Sequence, residues 1–328
     1  MVNIEVIIIK DDNLKNTAFG SYETCEGIYQ ALLLKNKNTR LSVCTNEKDL
    51  EDVVDRKPDF IVLTNKMLIT KTKKIWLSEY FDLNNIIYSG SIKTAMQLDL
   101  KKTASKLQVI THGVDTARFF TAVPDEYQSV ADLPVPFPLF IKPLESANSE
   151  GIDERSFVVN FSDFESKVKE LYVKYKQPAL VEQYLSGREF TVSIIKSDTL
   201  LIAPIEIIAP LVNDIRILSN RTKINDAEIV KEVLDIETLK KVSAIAMSSF
   251  EALGARDFGR IDIKMDAQEK CYFIEANLTP GMTRGSSYFP KSFEMCLGIN
   301  YDDLVFSMFR STLKRCKYYQ NAKNSYYR

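Results

Sequence analysis

Between Gly259 and Asn277 the chain twice alternates polar and apolar residues, and this narrows the fold more than any other feature. Gly259-Arg260-Ile261-Asp262-Ile263 sets Arg260 and Asp262 two apart, on one face of a strand. Cys271-Tyr272-Phe273-Ile274-Glu275-Ala276-Asn277 alternates likewise and puts Glu275 and Asn277 on a shared face. Paired as a hairpin, the strands carry Arg260, Asp262, Glu275 and Asn277 on one surface. Three oxygen-bearing side chains beside an arginine suit magnesium bound to phosphate, because Mg²⁺ prefers hard oxygen ligands and shares them with phosphates. The guanidinium offsets phosphoryl charge that the carboxylates would repel. A solvent-facing, salt-bridged hairpin would show the same alternation. Pro280-Gly281-Met282-Thr283, with Ser286 close behind, favours a site, because it sets exposed backbone N–H groups beside the cluster.

The first part of the chain alternates strand and helix signals. Ile4–Ile9 is a continuous apolar run, as expected of a strand covered on both faces, and Asp59–Thr64 is a second. Residues 22–35 carry a helical apolar period, Lys73–Phe81 reads as a short helix, and Ile86–Tyr88 leads into the turn Ser89-Gly90-Ser91. This predicts α/β architecture with a small parallel sheet. A helix is expected over 92–107 and a strand at Arg118–Ala122. Leu133–Pro143 holds four prolines and cannot be helical, which leaves Leu139–Lys142 as a strand. Ser162, with Glu165 three residues on, opens a predicted helix over 162–175.

The later part turns to α+β. Ala179–Tyr184, Glu189–Ile195 and Leu200–Ala209 read as antiparallel strands, followed by a helix over 236–253, the alternating pair, and a helical stretch near 302–315. The tail after Asp303 has six basic residues and no acidic one, and reads as a solvated end.

Two more segments carry chemistry. Lys142 ends an apolar strand at Ile141-Lys142-Pro143, where a lysine projects into a cleft. Ser146-Ala147-Asn148-Ser149-Glu150-Gly151 follows, a small-residue loop able to close over phosphates, although it lacks Walker-type spacing. In Val181–Phe190, Glu182 and Gln183 end one strand and Glu189 starts the next. Backbone groups at such a strand end suit adenine, and a carboxylate there can accept hydrogen bonds from ribose. Each string alone would pass for an ordinary turn.

Composition removes several function classes. The 328 residues carry 43 basic and 44 acidic side chains, a net charge of -1, so no global field holds nucleic acid or an anionic membrane. The single histidine, His112, rules out a multi-histidine metal site. Five cysteines without a CxxC pair read as reduced thiols in a cytoplasm. The opening MVNIEVIII reads as a first buried strand and not a signal peptide, and no apolar stretch reaches the ~18 residues of a membrane helix.

Together and in this order, these segments resemble the D-alanine–D-alanine ligase family of ATP-grasp enzymes. GRIDIKMD through CYFIEANLTPGMTRGSSYFP, residues 259–290, is similar to that family's carboxy-terminal signature nearly throughout, and FIKP at 140–143, VEQYLSGREFTVSII at 181–195 and YSGS at 88–91 match as well. The resemblance implies an ATP-grasp fold preceded by a small Rossmann-like parallel-sheet domain, divided as 1–91, 92–178 with the lid loop, and 179–328. It implies ATP and two magnesium ions, with Mn²⁺ as a substitute. Amino acids or short peptides would be the substrates, and the assembly a homodimer.

By the same resemblance Lys142 and Lys101 contact ATP, and Glu182, Gln183 and Leu185 line the adenine pocket. Glu189 holds the ribose, and Asn148 and Ser149 belong to the lid. Asp262, Glu275 and Asn277 carry the metals. Arg260 and the Gly281 N–H stabilise the tetrahedral intermediate, Ser286 meets the second substrate's carboxylate, and Glu23 binds the first substrate's ammonium.

The chain also departs from the family. A Gly-Glu-Asp segment with a nearby histidine is replaced by Asn65-Lys66-Met67-Leu68-Ile69-Thr70. A Met-Asp-Lys helix start appears as Leu98-Asp99-Leu100 with Lys101 one place late, and a lysine-tyrosine pair appears as Arg216-Ile217. The expected activity is therefore carboxylate–amine ligation between amino-acid-like substrates through an acyl phosphate. D-alanine–D-alanine ligation proper and a non-catalytic ATP-binding protein are the alternatives.

Overall fold

The computed structural model describes residues 2–10, 19–145, 149–197, 199–212 and 215–326. Ile4–Ile9, whose β-branched side chains are all buried, lies inside a four-stranded parallel sheet. Its order is Thr39–Cys44, Ile4–Ile9, Phe60–Leu63, Ile87–Tyr88. The strand Thr39–Cys44 and the helix Glu47–Asp55 carry no continuous apolar run and were not expected. The predicted helix at Lys73–Phe81 begins later, at Leu77, because Lys74–Trp76 pairs with Met67–Ile69 in a small hairpin.

A second, antiparallel sheet runs Phe119–Ala122, Ala179–Gln183, Leu139–Pro143, Phe157–Val158. The strand Ala179–Gln183 completes this sheet, so sheet membership changes after Gln183. Helix Phe161–Tyr175 packs behind it. Its cap is Asn160, accepting from the Asp163 N–H, and not Ser162 with Glu165. The helix expected over 92–107 is two helices, Lys93–Leu100 and Lys102–Thr111, broken at Lys101.

The third sheet is antiparallel: Ile229–Glu232, Leu200–Ile208, Glu189–Lys196, Phe258–Met265, Cys271–Asn277. One face, with Phe190, Val192, Ile194, Ile261 and Ile263, is buried with Val242, Ala246 and Phe250 of helix Ile236–Ala252. The opposite face carries the polar residues and turns toward the second sheet.

A helix was expected near 302–315 and one forms, Tyr301–Tyr326, but its first half is packed where the tail after Asp303 was predicted to be solvated. Leu304, Val305, Met308 and Phe309 are buried with Ile28 and Leu32 of helix Tyr22–Lys35. Near its middle it closes on buried Asp257, which accepts hydrogen bonds from Gly90 N at 2.9 Å, Ser311 Oγ at 2.9 Å and Thr312 Oγ1 at 3.0 Å, and from Arg315. One carboxylate thus ties the turn after the parallel sheet, the tail helix and the start of strand Phe258–Met265.

Candidate active site

A cavity separates the second and third sheets. Phe140, Lys142, Glu182 and Leu185 line one wall, and Glu189, Thr191, Asp262, Lys264 and Glu275 the other. Arg216, Ile217, Leu218 and Lys223 come over it from the segment 215–232. Ser149, in a left-handed conformation, and Gln183 also line it. Asn148 lies outside the described residues.

Glu182 sits between two lysines. Lys142 Nζ is 2.7 Å from Oε2 and Lys106 Nζ 2.6 Å from Oε1, all three side chains being buried. Burial would raise the carboxyl's pKa, but Lys106 and Lys142 outweigh it and bring it down to about 2. Lys142 is pushed up in turn: burial disfavours its charge, but Glu182 and Glu275 outweigh it. Lys106 is further anchored by Thr116 Oγ1 at 2.6 Å. The sequence reading missed Lys106. Its spacing of four from Lys102 on one helix face was the available signal.

Lys101, expected at ATP, does not reach the cavity, and its neighbour Lys102 does. Lys101 is exposed at the break between two helices, whereas Lys102 is buried and lines the cavity. Burial lowers the pKa of Lys102, and Glu275 opposes that shift.

The two alternating strands do form the hairpin, with Arg260 opposite Asn277 and Asp262 opposite Glu275. A bulge follows: Ile263 pairs with Phe273, so Ile274 is the extra residue. Strict alternation along Cys271–Asn277 would put Phe273 and Glu275 on one face. The bulge reverses the parity, sending Phe273 into the core while Ile274 and Glu275 both line the cavity. On this face Thr191 Oγ1 donates to Asp262 at 2.8 Å, and Lys264 pairs with Glu189 at 2.9 Å. Arg260 holds Asp262 with two nitrogens and lies over the Tyr288 ring. Asn277 Nδ2 is 3.5 Å from Asp262 Oδ2.

Among the described residues no hydrogen bond or ion pair holds the Glu275 carboxylate, which sits in the field of several cations. Burial would raise its pKa, but Lys102, Lys142, Lys223 and Arg260 outweigh it and lower it. No group of three or more His, Cys, Asp or Glu side chains able to hold a metal occurs among the described residues. Two carboxylates and the Asn277 amide make a partial hard-oxygen set, of the kind phosphate oxygens complete around Mg²⁺. The donor chemistry fits, provided Asp262 exchanges part of its hold on Arg260.

The remaining predicted residues gather at the end beyond Arg260 but do not line the cavity. Glu23 is exposed in the first turn of Tyr22–Lys35. Its neighbour Thr24 has Oγ1 3.2 Å from Thr283 Oγ1, and Met282 N donates to Phe19 O at 2.6 Å, which brings Glu23 beside the loop of Gly281. Gly20 makes this approach possible: its φ is +140°, and a Cβ there would stand 2.9 Å from both Thr24 Oγ1 and Thr283 Oγ1. Ser286 is exposed, while the adjacent Ser287 Oγ accepts from Thr283 N at 3.0 Å. In the altered segment Lys66 pairs with Asp99 at 2.7 Å, and Asp99 accepts from Leu278 N at 2.9 Å, directly after Asn277.

Comparison with known proteins agrees with this fold. The family described as "D-ala D-ala ligase C-terminus" matches residues 90–310. A D-alanine–D-alanine ligase of Bordetella petrii is 29% identical over 312 residues, 92% of this chain and 89% of that one. One of Hydrogenovibrio crunogenus is 28% identical over 197 residues, and the match spans 60% of each chain. The D-alanine–D-alanine ligase of Bacillus anthracis, in a crystal structure complexed with ATP, superposes with a TM-score of 0.74 at 22% identity, covering 97% of this chain and 99% of that one. The Coxiella burnetii ligase gives 0.68 at 17% identity, over 99% and 97%. The family match spans well over half of the chain, which therefore belongs to the D-ala D-ala ligase C-terminus family and, with it, to the ATP-grasp carboxylate–amine ligases.

Proposed function

We propose that this chain uses ATP to join the carboxylate of one amino acid to the amine of a second, in a cytoplasmic setting, through an acyl phosphate. One arrangement carries the reading: Asp262 and Glu275 on the bulged hairpin face Lys142 and Lys102 across a single cavity, with Arg260 at its edge. A carboxylate is a poor electrophile, and phosphorylation turns its oxide into a leaving group. Lys142 and Lys102 would offset charge on the phosphates during transfer, with Lys142 kept cationic by Glu182 and Glu275. Gln183, Leu185 and Glu189 would hold the nucleoside, and Ser149 the lid over the phosphates. Asp262, Glu275 and Asn277 would hold two Mg²⁺ ions, or Mn²⁺, which supply charge neutralisation when bound. Arg260 and the Gly281 N–H would stabilise the oxyanion formed when the amine attacks. Glu23 and Ser286 lie at the same end, suited to an ammonium and a carboxylate of the amino acids.

D-alanine is the first substrate to test, because the relatives above carry that name. Lys66, in the altered segment, is held by Asp99 of the helix Lys93–Leu100, which supports a different first amino acid as the second reading. The test is ADP release with ATP, Mg²⁺ and D-alanine, followed by a panel of amino acid pairs with mass detection of the amide. Nucleotide binding without ADP release across the panel would overturn the catalytic reading.

A further inference from the structure

Tyr288 opens the helix Tyr288–Leu297 and lines the cavity, with the Arg260 guanidinium 5.7 Å from its ring centroid. Its hydroxyl donates a hydrogen bond to Glu228. Glu228 belongs to the segment 215–232, between the helix Asn220–Ile224 and the strand Ile229–Glu232. That segment brings Arg216, Ile217, Leu218 and Lys223 over the cavity, yet Arg216, Arg221 and Asn225–Ala227 are exposed. It springs from the third sheet, through pairing of Ile229–Glu232 with Leu200–Ile208. The Glu228–Tyr288 contact joins it to the wall that holds Arg260. The second carboxylate oxygen of Glu228 is buried and finds no hydrogen-bond partner among the described residues. Opening the segment would return that oxygen to water, so the closed form needs the tyrosine to hold it.

We propose, building on the ligase reading, that Tyr288 and Glu228 are positioning residues. Their hydrogen bond latches the segment 215–232 over the cavity and keeps the tyrosine ring against Arg260, shielding the acyl phosphate until the amine arrives. Unlatched, water takes the place of the amine. Its oxygen bonds to the acyl carbon, the bond from that carbon to the phosphoryl oxygen breaks with its electron pair leaving on inorganic phosphate, and of the two protons of water one passes to the phosphate and one to solvent. The carboxylate is regenerated, and ATP has become ADP and phosphate without an amide.

The test uses the full chain with Tyr288→Phe, which keeps the ring, and Glu228→Gln, which keeps an accepting oxygen. Two quantities are read: ADP released per amide formed from ATP, Mg²⁺ and D-alanine, and the rate of tryptic cleavage after Arg216, Arg221, Lys223 and Lys231. Tyr288→Phe is expected to raise the ADP-to-amide ratio several-fold and to speed cleavage in that segment about tenfold, with cleavage elsewhere unchanged. Glu228→Gln is expected to stay near the parent. If Tyr288→Phe lowers the Tm, Glu228→Ala, on the outer segment, carries the same two measurements. A parental ratio and parental cleavage in the variant would overturn the proposal. If the parent makes no amide from D-alanine, the ligase reading on that substrate fails while the cleavage rates still decide the latch.

Discussion

Arg260 grips Asp262 side-on, Nε 3.0 Å from Oδ1 and Nη2 2.9 Å from Oδ2, although the two are neighbours on one strand face. The pair fixes the guanidinium plane, the Tyr288 ring lies against it, and the proposed ligase reading has this group stabilise the developing oxyanion. Arg260→Ala is expected to lower kcat for ADP release by about 10²–10³-fold, the effect of one lost oxyanion donor. Arg260→Lys should recover little, since an ammonium has neither the planar fork nor the stacking surface. Near-normal turnover in Arg260→Ala would remove this residue from the chemistry.

Lys101 and Lys102 differ by one position and should differ sharply in consequence. Lys102 is buried in the cavity within the field of Glu275, while Lys101 is exposed. Lys102→Met should weaken ATP binding by about tenfold or more, the loss of a charge-assisted hydrogen bond. Lys101→Met should leave it unchanged. Calorimetric titration with a non-hydrolysable ATP analogue separates the two, and equal effects would contradict the site drawn above.

Glu182 should make the protein sensitive to acid. Its carboxyl is brought down to about 2 in the folded chain, from 4.5 for a free glutamate side chain. A depressed carboxylate pKa gives stability that is fully present above 4.5 and lost as the pH falls toward 2, at most about 3 kcal/mol. Glu182→Gln removes that slope and deprives the buried ammonium groups of Lys106 and Lys142 of the carboxylate they share, at a cost of about 3–5 kcal/mol at neutral pH. Thermal melts of parent and variant should converge as the pH falls through this window. Parallel curves would show that Glu182 does not carry the charge balance.

Asp257 is the second place where one carboxylate holds several elements. It is buried with φ at +66° and binds Gly90, Ser311, Thr312 and Arg315. Asp257→Asn keeps a side chain that tolerates the left-handed region, removes the charge and replaces one of the two accepting oxygens by an N–H donor. Urea unfolding should show a loss of about 3 kcal/mol or more, as for a broken buried ion pair. An unchanged midpoint would leave the junction to apolar packing alone.

Side-chain period and motif order were enough to settle the parallel sheet around Ile4–Ile9, the antiparallel strands after Ala179, and the partnership of Arg260, Asp262, Glu275 and Asn277. Those are local properties: a strand's alternation is written in neighbouring residues, and a hairpin joins segments close in the chain. Four things were decided only in three dimensions. The bulge at Ile274 turns Phe273 inward and Glu275 outward, which alternation alone denies. The helix break at Lys101 hands the cavity to Lys102. Glu182 collects Lys106 and Lys142 from separate elements. The basic tail, read as solvated, folds onto Asp257 and the first helix. Each depends on which distant surface a residue meets, and burial or a counterion across the fold outweighs what its neighbours in the chain prefer.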